Sequence, residues 1–288
     1  MSVKDSDKME GVMLEEKHCK LLIDYDADVV DAETGKVLAK FRKGIIPGSI
    51  CAQAYTNLLK AAVITDSRGV ATGKDDKTGM NSKFRVNKDG RVSKQSIANG
   101  FVYSGVAGFY DRSTRFPYCR ATAFTHHELK KFKAAYPMFK LVDSYYKKLM
   151  PAEYAKQRAQ ADKTAKDFII PGTSFSTVTV NKNYRTAVHK DAGDFKEGFG
   201  NLVALRDGVY TGNHLVLPRW GVGFDLRNTD LLLMDVHQWH GNTPMVKGDK
   251  DAVRLSLVMY YRENMISCGT MKQEVERARK RKKGDKLK

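Results

Sequence analysis

The stretch Tyr184-Arg185-Thr186-Ala187-Val188-His189-Lys190-Asp191 comes directly after an alternating apolar run at 175–180, and that junction decides the reading of the chain. In extended backbone, residues i and i+2 project from the same face, so His189 and Asp191 stand side by side. An imidazole nitrogen and a carboxylate oxygen so placed are two of the three ligands of a two-His-one-carboxylate triad. That triad suits non-haem Fe(II) and leaves coordination positions open. A His-x-Asp alone is as readily an exposed polar turn, so the weight falls on residues further along the chain.

A buried apolar run, Leu231-Leu232-Leu233-Met234, ends in Asp235-Val236-His237-Gln238-Trp239-His240-Gly241-Asn242-Thr243-Pro244, and either histidine there supplies a third nitrogen. Fourteen residues past His240 comes Arg254, which opens the run Leu-Ser-Leu-Val-Met-Tyr-Tyr. An arginine at the start of an inward-facing strand holds a carboxylate bidentately, as a dicarboxylate co-substrate such as 2-oxoglutarate requires. Taken singly, Arg254 reads as a surface ion pair and each histidine as a core residue. The ordered set His-x-Asp, strand, His, strand, Arg-x-Ser is much harder to obtain by chance.

The surroundings predict the fold class. After Pro171-Gly172 come short runs of β-propensity at 175–180, 202–205, 214–217, 222–226, 231–236 and 255–261, separated by turn residues such as Asp207-Gly208 and Asn228-Thr229-Asp230. Upstream, the patterns at 49–65, at 126–150 with a break at Pro137, and at 151–163 with Pro151 at the start predict helices. Residues 1–48 read as irregular strands and loops, and 73–100 as a long basic loop. The expectation is an α+β protein: a double-stranded β-helix, or jelly roll, buttressed by helices from the N-terminal half. A single domain at 1–270 is expected, with helices and loops to about 170 and the jelly roll at about 171–265, then a basic tail at 271–288.

Fifty Lys and Arg against 33 Asp and Glu in 288 residues give a net charge of +17, which favours a polyanion such as DNA as partner. The last 18 residues carry nine basic and three acidic side chains, six of those seventeen net charges. No apolar run is long enough to cross a bilayer, and the N-terminus lacks the blocks of a secretory signal. The expectation is therefore a protein found with DNA in the cytoplasm, nucleoid or nucleus, not membrane-bound and monomeric. The four cysteines, Cys19, Cys51, Cys119 and Cys268, form no CxxC pattern and are expected to be buried free thiols.

From about Ala61 to Arg262 the chain resembles the TET/JBP family of dioxygenases, which oxidise the 5-methyl group of pyrimidines in nucleic acid, and its look is closer to the base-J-type and phage-type members. The resemblance is strongest in Ser104-Gly-Val-Ala-Gly-Phe-Tyr-Asp-Arg112, Pro117-Tyr-Cys-Arg-Ala-Thr-Ala-Phe-Thr125, residues 177–194, and His240-Gly-Asn-Thr-Pro through Arg254 to Tyr261. It implies His189, Asp191 and His240 as the catalytic Fe(II) ligands, with His237 left to the core because it lacks the trailing Gly-Asn-Thr-Pro. It further implies Arg254 and Ser256 as contacts to 2-oxoglutarate, His214 as another, and Asp194 as a contact to the target base. The substrate implied is 5-methylcytosine or thymine in DNA, flipped from a duplex or taken from single strand. Trp239, Tyr184, Phe195 and Tyr261 are candidate stacking faces. Two alternatives share parts of the pattern: an Fe(II)/2-oxoglutarate hydroxylase of a protein or small molecule, and a non-catalytic DNA-binding module.

Overall fold

A computed structural model describes residues 1–73, 83–86, 92–97 and 101–280. Its centre is the strand Gly200–Asp207, buried on both faces through its first six residues. On one side of it runs Leu231–Met234 and on the other Val253–Tyr260, both antiparallel, with Leu202 facing Leu232 and Val258 in register. The sheet extends through Thr177–Lys182, Val102–Tyr110 and Ile64–Thr65 at one end and through Val37–Arg42 and Ala27–Val30 at the other. A smaller sheet, in the order Leu21–Ile23, Val222–Phe224, Leu215–Leu217, Gly241–Asn242, lies over it. Two facing sheets with a mainly antiparallel order are the expected jelly roll. The first 45 residues contribute strands to both sheets, so the barrel draws on more of the chain than residues 171–265.

Period-two alternation sorts the side chains. Leu255, Leu257 and Met259, with Val178, Val180, Val203 and Leu205, turn outward onto a helical layer built from Leu58, Phe132, Phe139, Val142 and Tyr146. Leu202, Ala204, Leu232 and Met234 turn inward to meet Leu215, Leu217 and Phe224 of the smaller sheet. The helix Tyr136–Leu149 buries Met138, Phe139, Val142 and Tyr146, one helical stripe, and Pro137 sits in its first turn, where the missing N–H costs nothing. The helix Pro151–Lys163 starts on its proline as expected.

The structure corrects four expectations. The first helix spans Gly48–Leu58, tightens into the turn Leu59–Ala61 and gives way to the edge strand Ile64–Thr65. Gly105 explains the switch: a Cβ there would lie 1.8 Å from the Ala61 carbonyl oxygen, so only glycine admits the chain to the sheet edge. Within the stretch read as a loop, Lys83–Val86 and Val92–Ile97 pair as antiparallel strands, and the rest of it lies outside the described residues. Cys119 and Cys268, 149 residues apart, form a disulfide, while Cys51 is a buried and Cys19 a half-buried free thiol. Both bonded cysteines sit in a small core with Phe168, Phe195, Tyr261 and Met265, a meeting that spacing in sequence does not reveal. Finally, Met271–Lys280, the first ten residues of the expected basic tail, is a helix that buries Glu274, and residues 281–288 lie outside the described residues. No helix among the described residues is long and apolar enough to cross a membrane.

Candidate active site

The His-x-Asp segment is not part of a strand; it is pinned on both sides by backbone. Val188 accepts from Gly11 and donates to Val12, and Ala187 donates to Ala71. His189 and His240 exchange both backbone hydrogen bonds, at 2.9 and 3.0 Å, and Asp191 donates to Val236 at 3.0 Å. The backbone bonds thus fix the three side chains relative to one another. Gly241 permits this closeness, because a Cβ there would press on Thr186 and Val188 backbone atoms at 3.1 Å. The Gly after His240 is therefore a packing requirement of the bridge.

One donor atom from each of His189, Asp191 and His240 falls within 4.8 Å of the others. His189 Nδ1 donates to the Ala187 carbonyl and His240 Nδ1 to the Gln238 carbonyl, each at 2.8 Å. A carbonyl can only accept, so both Nδ1 atoms carry the hydrogen and both Nε2 atoms keep a lone pair for a metal. Burial pushes the Asp191 carboxyl up, but the imidazoles of His189 and His240 beside it outweigh that and hold its pKa at about 2. Burial and the neighbouring His189 pull His240 down to about 4, leaving it neutral at physiological pH. Burial also depresses His189, but the negative charge of Asp191, whose Oδ1 lies 3.4 Å from Nε2, outweighs it and raises its pKa.

These residues line a cavity of about 440 Å³ between the sheets. Across it, Arg254 is 5% exposed and makes no salt bridge among the described residues, and its Nε has no hydrogen-bond partner there. Its own backbone N–H is held by Asn183 Oδ1 at 2.7 Å, which fixes where the side chain starts. Burial lowers its pKa, with Tyr210 opposing. Ser256, two residues on, lines the same wall.

Asp194 also lines the cavity. Its Oδ2 has no partner among the described residues, and burial, with Asp191 adding to it, raises its pKa well above the carboxylate range despite the opposing charge of Arg262. The turn at Phe195 is held instead by backbone, Phe195 N–H to Tyr261 O at 2.9 Å.

His214 is not brought into the cavity. It precedes Leu215, which does line it, and so faces the other way, against Glu16 at 3.1 Å and Asp225 at 3.4 Å. His237 lies outside the triad, with Nε2 3.3 Å from the Phe195 carbonyl. Of the four aromatic candidates only Tyr184 lines the cavity. Phe195 and Tyr261 pack into the small core around the disulfide, and Trp239 donates to Asp7 under the Lys190 ammonium.

Sequence reasoning missed Thr179, Asn181, Tyr260, Arg262 and Arg68 on the cavity wall. The first four share the face of Arg254 and Ser256 by alternation across paired strands, a signal the sequence holds. Arg68 comes from a distant turn, is anchored on the Gly105 carbonyl at 3.4 Å and turns its charge toward His189 and Asp191. Nothing local in the sequence marks it.

A jelly roll with two histidines and an aspartate converging beside a buried, unpaired arginine defines the class of non-haem iron oxygenases that use a carboxylate co-substrate. The chain belongs to the Tet_JBP family, the oxygenase domain of the 2OGFeDO superfamily, which matches residues 105–263. It is 39% identical over 178 residues to thymine dioxygenase JBP1 of Trypanosoma brucei brucei, covering 60% of this chain and 21% of that protein. It is 33% identical over 243 residues to thymine dioxygenase JBP1-A of Trypanosoma cruzi, covering 83% and 26%. The chain thus spans only about a quarter or less of the length of these relatives. A solved structure of NgTET1 in complex with 5mC DNA superposes with a TM-score of 0.57 at 13% identity, covering 98% of this chain and all of that one, which confirms the fold. The superfamily implies Fe(II) and 2-oxoglutarate. The residues fit both: paired Nε2 lone pairs and an anionic carboxylate for the metal, and a buried guanidinium with no salt bridge among the described residues, on the wall of the same cavity, for the carboxylate.

Proposed function

We propose that this chain oxidises the 5-methyl group of a pyrimidine in DNA with Fe(II) and 2-oxoglutarate, acting on a base flipped out of a duplex or presented by a single strand. The observation that carries the reading is the placement in one cavity of the His189, Asp191 and His240 donors, Arg254 with no salt bridge among the described residues, and Asp194 with an unpartnered Oδ2. His189, Asp191 and His240 hold the metal, and Arg254 with Ser256 holds the distal carboxylate of the co-substrate. When bound, the iron and 2-oxoglutarate together supply, from O₂ and with loss of CO₂, an oxidant able to take hydrogen from a methyl group. The chain's own residues orient the reactants and exclude water. Arg254 fixes one end of the co-substrate by a planar two-donor grip. Arg68 sets a second positive charge facing the triad.

Thymine is the target we favour. Asp194, whose Oδ2 is unpartnered among the described residues and which lines the cavity, is the polar contact for the base, and it can pair with the edge of either pyrimidine. The names of the JBP1 relatives agree with this choice. The protein acts as a monomer and works where DNA is. Succinate release and nucleoside mass spectrometry, with thymine-containing DNA, methylcytosine-containing DNA and no DNA, test the reading. The expected result is DNA-dependent succinate release with hydroxymethyluracil formed in preference to hydroxymethylcytosine. Turnover that is indifferent to DNA would overturn it in favour of a protein or small-molecule hydroxylase.

A further inference from the structure

The motif from Tyr110 to Arg120 lies beside the cavity but contributes no lining residue to it. Its side chains form a continuous ladder of cations and rings. The Arg115 guanidinium sits 5.2 Å from the Phe116 ring centre. Arg120 lies 4.0 Å from that same ring centre and 4.9 Å from the Tyr110 ring, and Arg262 lies 5.6 Å from Tyr110. Arg262 is itself a wall of the cavity, so the ladder runs from exposed Arg115 to the site.

Charge balance separates the members. Arg262 is neutralised by buried Asp111 at 2.8 Å and Arg112 by buried Glu274. Arg115, which is exposed, and Arg120, which is half-buried, make no salt bridge among the described residues. Burial lowers the pKa of Arg120, with Tyr110 and Tyr118 opposing. A guanidinium clamped against two rings is pre-organised, and one that stays half exposed with no carboxylate partner among the described residues suits the paired oxygens of a phosphodiester. Rings interleaved with cations are also what a single strand requires, since bases stack on one and phosphates pair with the other.

We propose that this ladder holds the backbone of the DNA strand whose base enters the cavity, with Arg120 taking the phosphate next to the inserted nucleotide and Arg115 one further out. The proposal rests on the reading of DNA as substrate and adds the path by which the strand reaches the site.

The test is fluorescence anisotropy on the full chain, held anaerobic with Fe(II) and 2-oxoglutarate, binding a short labelled single strand containing one thymine. Two probes are used, one natural and one with an uncharged methylphosphonate beside the thymine, each across a range of salt. Arg120→Gln is expected to weaken binding of the natural probe roughly tenfold and to reduce the salt slope by about 0.7, one phosphate contact on a single strand. Arg120→Lys should keep the slope and lose part of the affinity, and Arg115→Gln should lose less than Arg120→Gln. The methylphosphonate should weaken the wild type but cost Arg120→Gln nothing further. A purely structural Arg120 would move the melting temperature while leaving the slope and the methylphosphonate penalty as in the wild type, and that result overturns the ladder while DNA binding stands. Absence of salt-dependent binding by the wild type overturns the DNA reading and the ladder together.

Discussion

Arg254 and Glu274 are both charged side chains taken almost wholly out of water, 5% and 1% exposed, and they are treated in opposite ways. Both oxygens of Glu274 are paired: with Arg112, with the Cys119 N–H at 2.8 Å and with the Gly269 N–H at 2.8 Å. Arg254 makes no salt bridge among the described residues, leaves its Nε without a hydrogen-bond partner there and lines a cavity. Burying an unpaired charge is costly, so a fold keeps one only where something outside the chain completes it. Closed charges therefore mark architecture and open ones mark function. The triad belongs with Arg254: its Nδ1 atoms are satisfied internally, and its Nε2 atoms are left free to hold a metal ion.

The largest effect is expected from removing the negative charge of the open region. Asp191→Ala should abolish iron binding and turnover, because two neutral imidazoles hold Fe(II) poorly without the carboxylate. His240→Ala should behave alike, whereas His237→Ala, which loses only a contact to the Phe195 carbonyl, should retain iron. Metal content of the purified variants decides the matter. Full iron occupancy in Asp191→Ala would dissolve the distinction between open and closed polar groups at this site.

A narrower effect is expected at Arg254. Losing one partner of a buried charge pair costs about 3–5 kcal/mol, so Arg254→Ala should be nearly inactive while still binding iron. Arg254→Lys should raise the 2-oxoglutarate requirement strongly, since an ammonium cannot reproduce the fork. The readout is the 2-oxoglutarate dependence of succinate release alongside metal content. An unchanged dependence would place the co-substrate anchor elsewhere.

Legibility in the sequence divides along the same line. His189 with Asp191 stood out by alternation along extended backbone and Arg254 by its place at the start of a strand, while His240 and Ser256 were singled out by the family resemblance, and the structure brings all five to one cavity. His214 was misplaced for the same physical reason: a single-residue difference in phase turns a side chain to the opposite face, and Leu215 took the cavity. Arg68 and the pairing of Cys119 with Cys268 depend on contacts between distant segments that no local pattern encodes. The helix Met271–Lys280 was hidden too, because it is docked by a buried charge rather than by an apolar stripe, and its partner Arg112 is 162 residues away.

The closed region should respond in stability alone. Glu274→Gln keeps the shape of the side chain but removes the charge that Arg112 and two backbone N–H groups share, and hydrogen bonds to a charged group contribute about 1.5–3 kcal/mol each. The variant should therefore melt at lower temperature while iron content and 2-oxoglutarate dependence stay as in the wild type, since neither Glu274 nor its partners line the cavity. The pH dependence carries its own sign. Burial raises the Glu274 pKa, but Arg112 and the Cys119 and Gly269 N–H groups outweigh it, so the folded value lies below the ordinary 4.5. A carboxyl depressed on folding contributes its full stability above its unfolded pKa and loses it as pH falls through the folded value. The gap in melting temperature between wild type and Glu274→Gln should accordingly be widest near neutrality and close on acidification below the ordinary glutamate range. A gap that does not change with pH would mean that Glu274 acts by packing alone, and a loss of iron or co-substrate binding in the variant would mean that the clasp and the cavity are one functional unit.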